Sequence, residues 1–320
     1  MPRTAPRGTR KATKLKRHPV RSGLQARRPK GRLLIIGGHE DKVNGGVILR
    51  VLARAATGSK LVVATLASEQ PDAMWDEYQS TLRSLGVRHL YQLKVESRAD
   101  AESARAMAVL EGAKAVFFTG GDQLRLTATI GDTPVFSRCH EIFTAGGMIA
   151  GTSAGAAVMG ETMLVNGVAE ETPRLDDALH MAPGLGLARD MLIDQHFSER
   201  GRIGRLLGAV AQNPRVLGVG IDENTAVDID ALRRFRVIGN GGVYVLDGSD
   251  VEYSNVADEE RGRTLSIANV RLHVLSQGDG FDLVTRRPKI GPAEAIDDEL
   301  GVDEKDRKKN GASKANGSKR

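Results

Sequence analysis

The chain of 320 residues is long enough to bury a large core, and its hydrophobic content of 40% is ordinary for a globular protein. Its single cysteine, Cys139, excludes an intramolecular disulfide framework and a cysteine-built zinc site. No apolar segment approaches the roughly 20 residues of a membrane helix. The basic N-terminus lacks the apolar core of a secretory signal, so we expect a cytoplasmic protein.

The formal net charge of +6 comes from the N-terminal end of the chain. Residues 1–32 contain 12 Lys and Arg and no acidic residue, whereas residues 33–290 contain 27 basic and 33 acidic residues. Dense like charge with few large apolar residues predicts a disordered basic extension over residues 1–31. A disordered charged tail is predicted over residues 289–320. The basic arm suits contact with nucleic acid or another polyanion, or a solubilising role without a specific partner.

Between these ends, short apolar strands alternate with amphipathic helices. Strands are predicted in RLLIIGG, KLVVATLAS, RHLYQLKV, AKAVFFTGG and MIAGTSAG. Helices are predicted in NGGVILRVLARAATG, DAMWDEYQSTLRSLG, ADAESARAMAVLEG and PVFSRCHEIFTAGG. This alternation predicts right-handed βαβ units and a doubly wound, mostly parallel sheet covered on both faces. After residue 214, closely spaced strands with turn signals indicate an added C-terminal portion, so we expect one α/β domain over residues 32–288.

The segment GGMIAGTSAGAAVMG places Ser153 between glycines, after an apolar run and before an alanine-rich one. Its core, GTSAG, matches the G-x-S-x-G pattern of a nucleophile elbow, in which small neighbours admit a strained serine at a strand-to-helix turn. A helix beginning at Ala154 would direct its N-terminal partial positive charge at the hydroxyl. The alternative interpretation is an ordinary helix N-cap. The apolar strand before Ser153 and the small residues after it favour the nucleophile.

A serine nucleophile needs a general base, and the sequence contains seven histidines. His39 follows the first strand, and His180 is predicted in a loop. His196 lies among the polar residues that follow the apolar strand in MLIDQHFSERGRIGRLL and is the strongest candidate, because ligands bind beyond the carboxyl ends of strands in an open parallel sheet. Glu223 and Asp194 both qualify as the acid that orients the imidazole. The other histidines are predicted in structural positions or in the N-terminal extension: His18, His89, His140 and His273.

An oxyanion hole is predicted from backbone amides at two strand-to-helix turns. The amide of Ala154 follows the nucleophile, and the amides of Gly120 or Gly121 lie in FFTGGDQ at the end of the preceding strand. The two turns should meet at the same edge of the sheet.

The segment QHFSERGRIGRL, which contains the predicted base, also contains three arginines: Arg200, Arg202 and Arg205. Arginines on an exposed helix usually form a solvated face. Next to a predicted active site in an acidic domain, we favour binding of substrate carboxylates through bidentate hydrogen bonds.

The segments GGHEDK, FFTGGDQLRLT, GTSAGAAVMG, DQHFSERGRIGRL and GIDENTA occur in this order. Together they resemble the cyanophycinases, within the serine peptidase family that also contains aspartyl dipeptidase. The resemblance spans about residues 32–275. It implies a homodimer whose subunits resemble class I glutamine amidotransferases in fold. It also implies an exopeptidase that hydrolyses cyanophycin, a poly-aspartate with an arginine on each β-carboxyl group, to β-aspartyl-arginine dipeptides.

Carried over motif by motif, the resemblance makes Ser153 the nucleophile, His196 the base and Glu223 the third member, with Asp194 as the fallback for that third position. It further implies a pocket whose arginines hold substrate carboxylates and whose acids, such as Asp194, meet substrate guanidinium groups. The pocket residues are Gln123, Asp194, Gln195, Arg200, Arg202 and Arg205. No metal or other cofactor is expected.

Two alternative functions compete with cyanophycin hydrolysis. One is a dipeptidase for small aspartyl peptides, which the arginine cluster disfavours because a dipeptide has few carboxylates. The other is a catalytically silent binding protein that uses the basic arm for nucleic acid, which the intact serine, histidine and glutamate set disfavours.

Overall fold

The computed structural model describes residues 29–43, 46–166, 179–257 and 263–291. Most of the predicted basic extension (residues 1–28) and most of the charged tail (residues 292–320) lie outside these ranges. The predictions of disorder and of nucleic-acid contact therefore stay predictions. In the described segments, no helix combines the length and the apolar character that crossing a membrane requires.

Secondary structure alternates between strands and helices in the first half and is dominated by strands in the second. The described strands are β1 (Arg32–Ile36), β2 (Lys60–Ala64), β3 (His89–Leu93), β4 (Ala113–Phe118), β5 (Met148–Thr152), β6 (Thr162–Asn166), β7 (His180–Pro183), β8 (Met191–Gln195), β9 (Leu217–Ile221), β10 (Thr225–Ile229), β11 (Arg234–Gly239), β12 (Val243–Asp247), β13 (Tyr253–Ser254), β14 (Ile267–Ala268), β15 (Arg271–Leu275), β16 (Gly280–Asp282) and β17 (Arg287–Lys289). The described helices are α1 (Val47–Ala55), α2 (Pro71–Ser84), α3 (Arg98–Ala101), α4 (Ala104–Leu110), α5 (Gln123–Ile130), α6 (Pro134–Thr144), α7 (Ala154–Ala157) and α8 (Ile203–Gln212).

The central sheet has the strand order β17-β16-β11-β10-β1-β5-β4-β2-β3. Strands β1 to β5 pair in parallel. The C-terminal strands β10, β11, β16 and β17 continue the sheet beyond β1 in antiparallel pairs. The predicted α/β fold with added C-terminal strands is confirmed. Its last strand ends at Lys289, one residue beyond the predicted domain boundary.

Helices cover both faces of the central sheet because its inner strands are apolar on both sides. Leu34 and Ile36 of β1 pack in one core with α1 and α2. The alternate residues Leu33 and Ile35 pack in the other core with α4 to α7, where Cys139 is buried as a small apolar group. This two-sided burial is what a near-continuous apolar strand predicts.

A second sheet, in the order β15-β12-β9-β8, packs against the same core as α4 to α7. Its outer face is covered by α8. Ser153 therefore follows β5 of the central sheet, whereas His196 and Glu223 follow β8 and β9 of the second sheet. The His196 amide donates to the carbonyl of Gly37, directly after β1, at 2.8 Å. The site thus assembles where the two sheets meet, and not along the edge of one sheet.

Three local predictions differ from the structure. The helix predicted in ADAESARAMAVLEG is two helices, because the Ser103 side chain accepts from the Ala106 amide and starts α4 anew. Helix α5 was not predicted, although Asp122 caps it by accepting from the amides of Leu124 and Arg125. His180 begins strand β7 and does not lie in a loop.

Candidate active site

Ser153 lies in a strained turn between β5 and the single-turn helix α7. Its backbone angles are φ +53° and ψ −115°, a region that non-glycine residues rarely adopt. A methyl group on Gly151 would lie 2.2 Å from the Gly155 carbonyl oxygen, and one on Gly155 would lie 2.3 Å from that of Phe118. The glycines of GTSAG are therefore required by close backbone contacts. The Ser153 side chain makes no capping hydrogen bond to α7, which argues against the N-cap interpretation.

The Ser153 hydroxyl, the His196 imidazole and the Glu223 carboxylate form a hydrogen-bonded chain. Ser153 Oγ lies 2.9 Å from His196 Nε2, and His196 Nδ1 lies 2.7 Å from Glu223 Oε1. The His196 side chain is 3% exposed, while that of Glu223 is 26% exposed. A hydroxyl, a buried imidazole and a carboxylate in this order have the geometry of a serine hydrolase triad.

Burial and charge shift the pKa of both members of the His196–Glu223 pair. Burial lowers the pKa of His196, and this effect outweighs the hydrogen bond that His196 donates to Glu223, which raises the pKa. The positive charge of Arg200 lowers the pKa of His196 further. Burial alone would raise the pKa of Glu223, but the hydrogen bond from His196 and the charge of His39 lower it below its usual value. The imidazole is thus held neutral and the carboxylate ionised near neutral pH, as a general base and its orienting acid require.

Asp194 does not meet His196, because β8 ends at Gln195 and His196 turns away at φ +46°. Asp194 is 1% exposed and faces α8, where Arg205 Nε donates to its Oδ2 at 2.6 Å. Arg202 donates to Asp194 Oδ1 at 3.1 Å and to Gln195 Oε1 at 2.8 Å. The sequence-based expectation that Asp194, Arg202 and Arg205 contact substrate stays a prediction. Their charged groups are buried against one another and fix the loop that carries His196.

Of the remaining predicted pocket residues, Gln123 and Gln195 are hydrogen-bonded within the protein, whereas Arg200 is exposed. Gln123 donates from Nε2 to the backbone carbonyls of Leu164 and Val165, at 3.2 and 3.0 Å, and so ties α5 to β6. Gln195 is buried and accepts from Arg202. Both carboxamides have intramolecular partners, and their binding of substrate stays a prediction. Arg200 is exposed and forms no ion pair with any residue that the structure describes, so it stays a candidate for substrate binding.

An open groove of about 620 Å³ lies at the turn that follows β4. Gly120 and Gly121 form one side of it, and a methyl group on Gly120 would lie 3.4 Å from Ser153 Cβ. The amides before and after these glycines, those of Thr119 and Asp122, donate to the backbone carbonyls of Ala64 and Ala67 at 3.1 and 2.9 Å. The charged residues lining the groove are Glu69, Glu77 and Asp122, all acidic and all exposed. Glu77 pairs with Lys42 at 3.3 Å and Asp122 caps α5, so the negative charge of the groove is partly offset within the protein.

The GGHEDK segment contributes two residues whose roles the sequence did not reveal. Glu40 is 3% exposed and accepts from Tyr78 Oη and, at 2.6 Å, from Thr152 Oγ1, next to the nucleophile. His39 Nδ1 lies 3.0 Å from Glu223 Oε2. The position of the segment directly after β1 was the only sequence signal for either residue.

His39, His196 and Glu223 are also close enough in space to be compared with a metal site. Their ligand atoms lie within 4.8 Å of one another. The hydrogen bonds His196–Glu223 and His39–Glu223 account for this spacing without an ion. The arrangement is therefore interpreted as a hydrogen-bonded catalytic group.

Gly38 controls the position of the predicted base. Its φ is +108°, and a methyl group there would lie 2.3 Å from His196 Cε1. We expect Gly38→Ala to displace the imidazole and to lower kcat by about 100-fold, the order that follows from a misplacement of about 1 Å. Hydrolysis rates of the purified variant measure this effect.

Gly146→Ala is the matched control, because Gly146 has a similar φ, +104°, but a methyl group there would lie no nearer than 3.8 Å to another residue. It imposes similar backbone strain without a collision and should keep parental kcat. Equal loss in the two variants would contradict the proposed contact between residue 38 and His196.

Comparison with known proteins places the chain in a family. The sequence profile of Peptidase family S51 matches residues 33–234. A cyanophycinase from Synechococcus elongatus is 42% identical over 261 residues, which cover 81% of each chain. A cyanophycinase from Trichormus variabilis is 39% identical over 269 residues, which cover 82% of this chain and 90% of the relative. The crystal structure of a peptidase from an acI-B1 actinobacterium superposes with a TM-score of 0.57 at 21% identity, covering 77% of this chain and 98% of that one, and supports the fold.

The fold and the hydrogen-bonded serine, histidine and glutamate define a serine peptidase of the α/β class. The chain belongs to Peptidase family S51. The predicted resemblance to cyanophycinases is confirmed by relatives that match most of the chain.

Proposed function

We propose that the protein is a serine peptidase in which Ser153, His196 and Glu223 act as a catalytic triad. His196 Nε2 takes the proton of the Ser153 hydroxyl while Oγ attacks the scissile carbonyl carbon. Glu223 keeps the imidazole in the tautomer that presents Nε2 as acceptor and stabilises the imidazolium that forms. His196 then donates its proton to the leaving amine, and water releases the acyl group from Ser153 by the same steps. The 2.9 Å contact between Ser153 Oγ and His196 Nε2 is the observation that carries this proposal.

The oxyanion of the tetrahedral intermediate is assigned to backbone amides beside Ser153. The Ala154 amide follows the nucleophile at the start of α7, and Gly120 borders the Ser153 side chain from β4. Either Gly120 or Gly121 supplies the second donor. Amides fixed by the fold stabilise the developing negative charge without reorganisation, which is the main requirement of such a site.

The substrate is proposed to be cyanophycin. Two cyanophycinases match four fifths of the chain, and the groove at the turn that follows β4 is lined by Glu69, Glu77 and Asp122. Each unit of cyanophycin carries an arginine, and carboxylates pair with guanidinium groups through strong hydrogen bonds. We therefore assign the recognition of substrate guanidinium groups to this groove, and the recognition of a substrate carboxylate to Arg200. Cleavage from a chain end, a homodimer and a cytoplasmic location stay predictions.

A direct comparison of substrates tests this proposal. The protein is assayed on cyanophycin and on small aspartyl dipeptides, and kcat/KM is measured for each. We expect the arginine-bearing substrate to be preferred by at least about 100-fold, because a dipeptide without arginine lacks the guanidinium group that the groove carboxylates would bind. Preference for the dipeptides would support the dipeptidase alternative. A protein without activity on either would match the binding-protein alternative.

The pH dependence follows from the lowered pKa of His196. The base must be neutral to accept the Ser153 proton, so activity is present above the pKa of His196 and lost as pH falls through it. We expect the acidic midpoint of kcat/KM, which reports the free enzyme, to lie below 6.5, the usual pKa of histidine. A short soluble oligomer of β-aspartyl-arginine is a suitable substrate for the profile.

Arg200→Gln provides a matched variant for this profile. It removes a positive charge that lowers the pKa of His196, so the acidic midpoint should move to higher pH. A parental midpoint above 6.5, or a midpoint that moves to lower pH in Arg200→Gln, would contradict this account.

A further inference from the structure

Glu223 is held from two sides by imidazoles. Its Oε1 lies 2.7 Å from His196 Nδ1, and its Oε2 lies 3.0 Å from His39 Nδ1. The two rings meet edge to face, with centroids 5.1 Å apart. The base, the acid and His39 therefore form a continuous array that ends at Ser153.

The backbone after β1 is hydrogen-bonded to the two loops that carry His196 and Glu223. The carbonyl of Gly37 accepts from the His196 amide, and the carbonyl of Gly38 accepts from the Asn224 amide, both at 2.8 Å. His39 follows at φ +48°, a conformation that a non-glycine residue rarely adopts. Such conformations persist where surrounding contacts hold them and are concentrated at functional sites.

Packing does not explain where the His39 side chain lies. The side chain is 71% exposed, so little apolar contact holds it against Glu223. Glu223 is itself 26% exposed, and without His39 its second oxygen would face solvent. The hydrogen bond between His39 Nδ1 and Glu223 Oε2 is therefore the interaction that holds the exposed His39 ring in place.

We propose that His39 is a positioning residue that donates a hydrogen bond from Nδ1 to Glu223 and so fixes the carboxylate in the plane that His196 requires. It acts through Glu223 and does not touch the reacting atoms. The inference rests on the proposed triad, in which the tautomer and orientation of His196 depend on this carboxylate.

Two substitutions separate this role from a general structural one. His39→Ala removes the donor. His39→Asn keeps an amide donor near the position of Nδ1 and tolerates the positive φ, since asparagine adopts that region readily. We expect kcat to fall roughly 10-fold in His39→Ala, with little change in KM, and to recover to near the parental value in His39→Asn.

The pH profile is the second readout. The charge of His39 lowers the pKa of His196, together with Arg200, while Glu223 raises it. Both substitutions remove that charge, so the acidic midpoint of kcat/KM should move to higher pH in both, although kcat falls only in His39→Ala. Melting temperatures of the two variants establish that both are folded.

Labelling of Ser153 makes the test independent of the substrate. A small fluorophosphonate reacts with the activated hydroxyl, and mass spectrometry measures the labelling rate. We expect the parent and His39→Asn to be labelled at similar rates and His39→Ala roughly 10-fold more slowly. Failure of the parent on cyanophycin, with this order of labelling intact, would overturn the proposed substrate alone. Equal rates in all three proteins, equal loss in both variants, or an effect on KM alone would overturn the role of His39.

Discussion

Ser153→Ala is expected to abolish hydrolysis, with kcat lowered by at least about 10⁴-fold. The substitution removes the only hydroxyl in contact with His196 Nε2 in the described structure, where Ser153 Oγ lies at 2.9 Å. The residual activity would come from the oxyanion donors and substrate binding alone. The small side chain of alanine fits the elbow, so folding and substrate binding should be retained. Steady-state rates, with binding of the oligomer measured by calorimetry, check both parts of this expectation.

Ser137→Ala is the matched control for this experiment. Ser137 is an exposed serine on α6, and its loss should change neither kcat nor stability. If Ser153→Ala retained more than about one hundredth of the parental rate, another nucleophile would have to carry the reaction, and the triad would be wrong.

Asp194→Asn is expected to destabilise the protein by about 3–5 kcal/mol, the usual cost of removing one partner of a buried ion pair. Asp194 is 1% exposed and is shared by Arg202 and Arg205, whose side chains are 9% and 7% exposed. Burial already lowers the pKa of Arg202 to about 10, even beside the carboxylate. A neutral residue 194 would leave two guanidinium groups buried without a counter-charge. The melting temperature should fall by roughly 10 °C.

Asp190→Asn is the control variant, because it removes one partner of an exposed ion pair instead of a buried one. Asp190 pairs with Arg233 at 3.1 Å, but the two side chains are 49% and 39% exposed, so the pair contributes less than about 1 kcal/mol. Asparagine also tolerates the positive φ of +59° at this position. Similar melting temperatures for the two variants would contradict a structural role for the Asp194 cluster.

The contact between Ser153 and His196 could be anticipated from the sequence because each residue follows an apolar strand. The GTSAG pattern needs only small residues around one serine, and MLIDQH needs only an apolar run that ends in a polar residue. The third member could not be predicted from these residues alone. Whether Asp194 or Glu223 meets His196 depends on where β8 ends and on the positive φ of His196. The resemblance to a known family indicated Glu223, whose Oε1 lies 2.7 Å from His196 Nδ1 in the structure.

The burial of the arginine cluster could not be read from composition, because arginines near an active site also suit substrate binding. One signal was present. Arg205 precedes Ala209 by four residues and therefore shares the buried face of α8. The second sheet was also unpredicted as a separate layer, since strands β8 and β9 look the same in sequence whether they extend the central sheet or pack across it. Pairing partners at long sequence separation leave no local pattern.

Incubation of the purified protein with insoluble cyanophycin, followed by mass analysis of the soluble fraction, tests the central claim most directly. The account predicts release of β-aspartyl-arginine by the parent and none by Ser153→Ala. A parent that releases no dipeptide from the polymer, yet cleaves small aspartyl dipeptides, would contradict the proposed substrate.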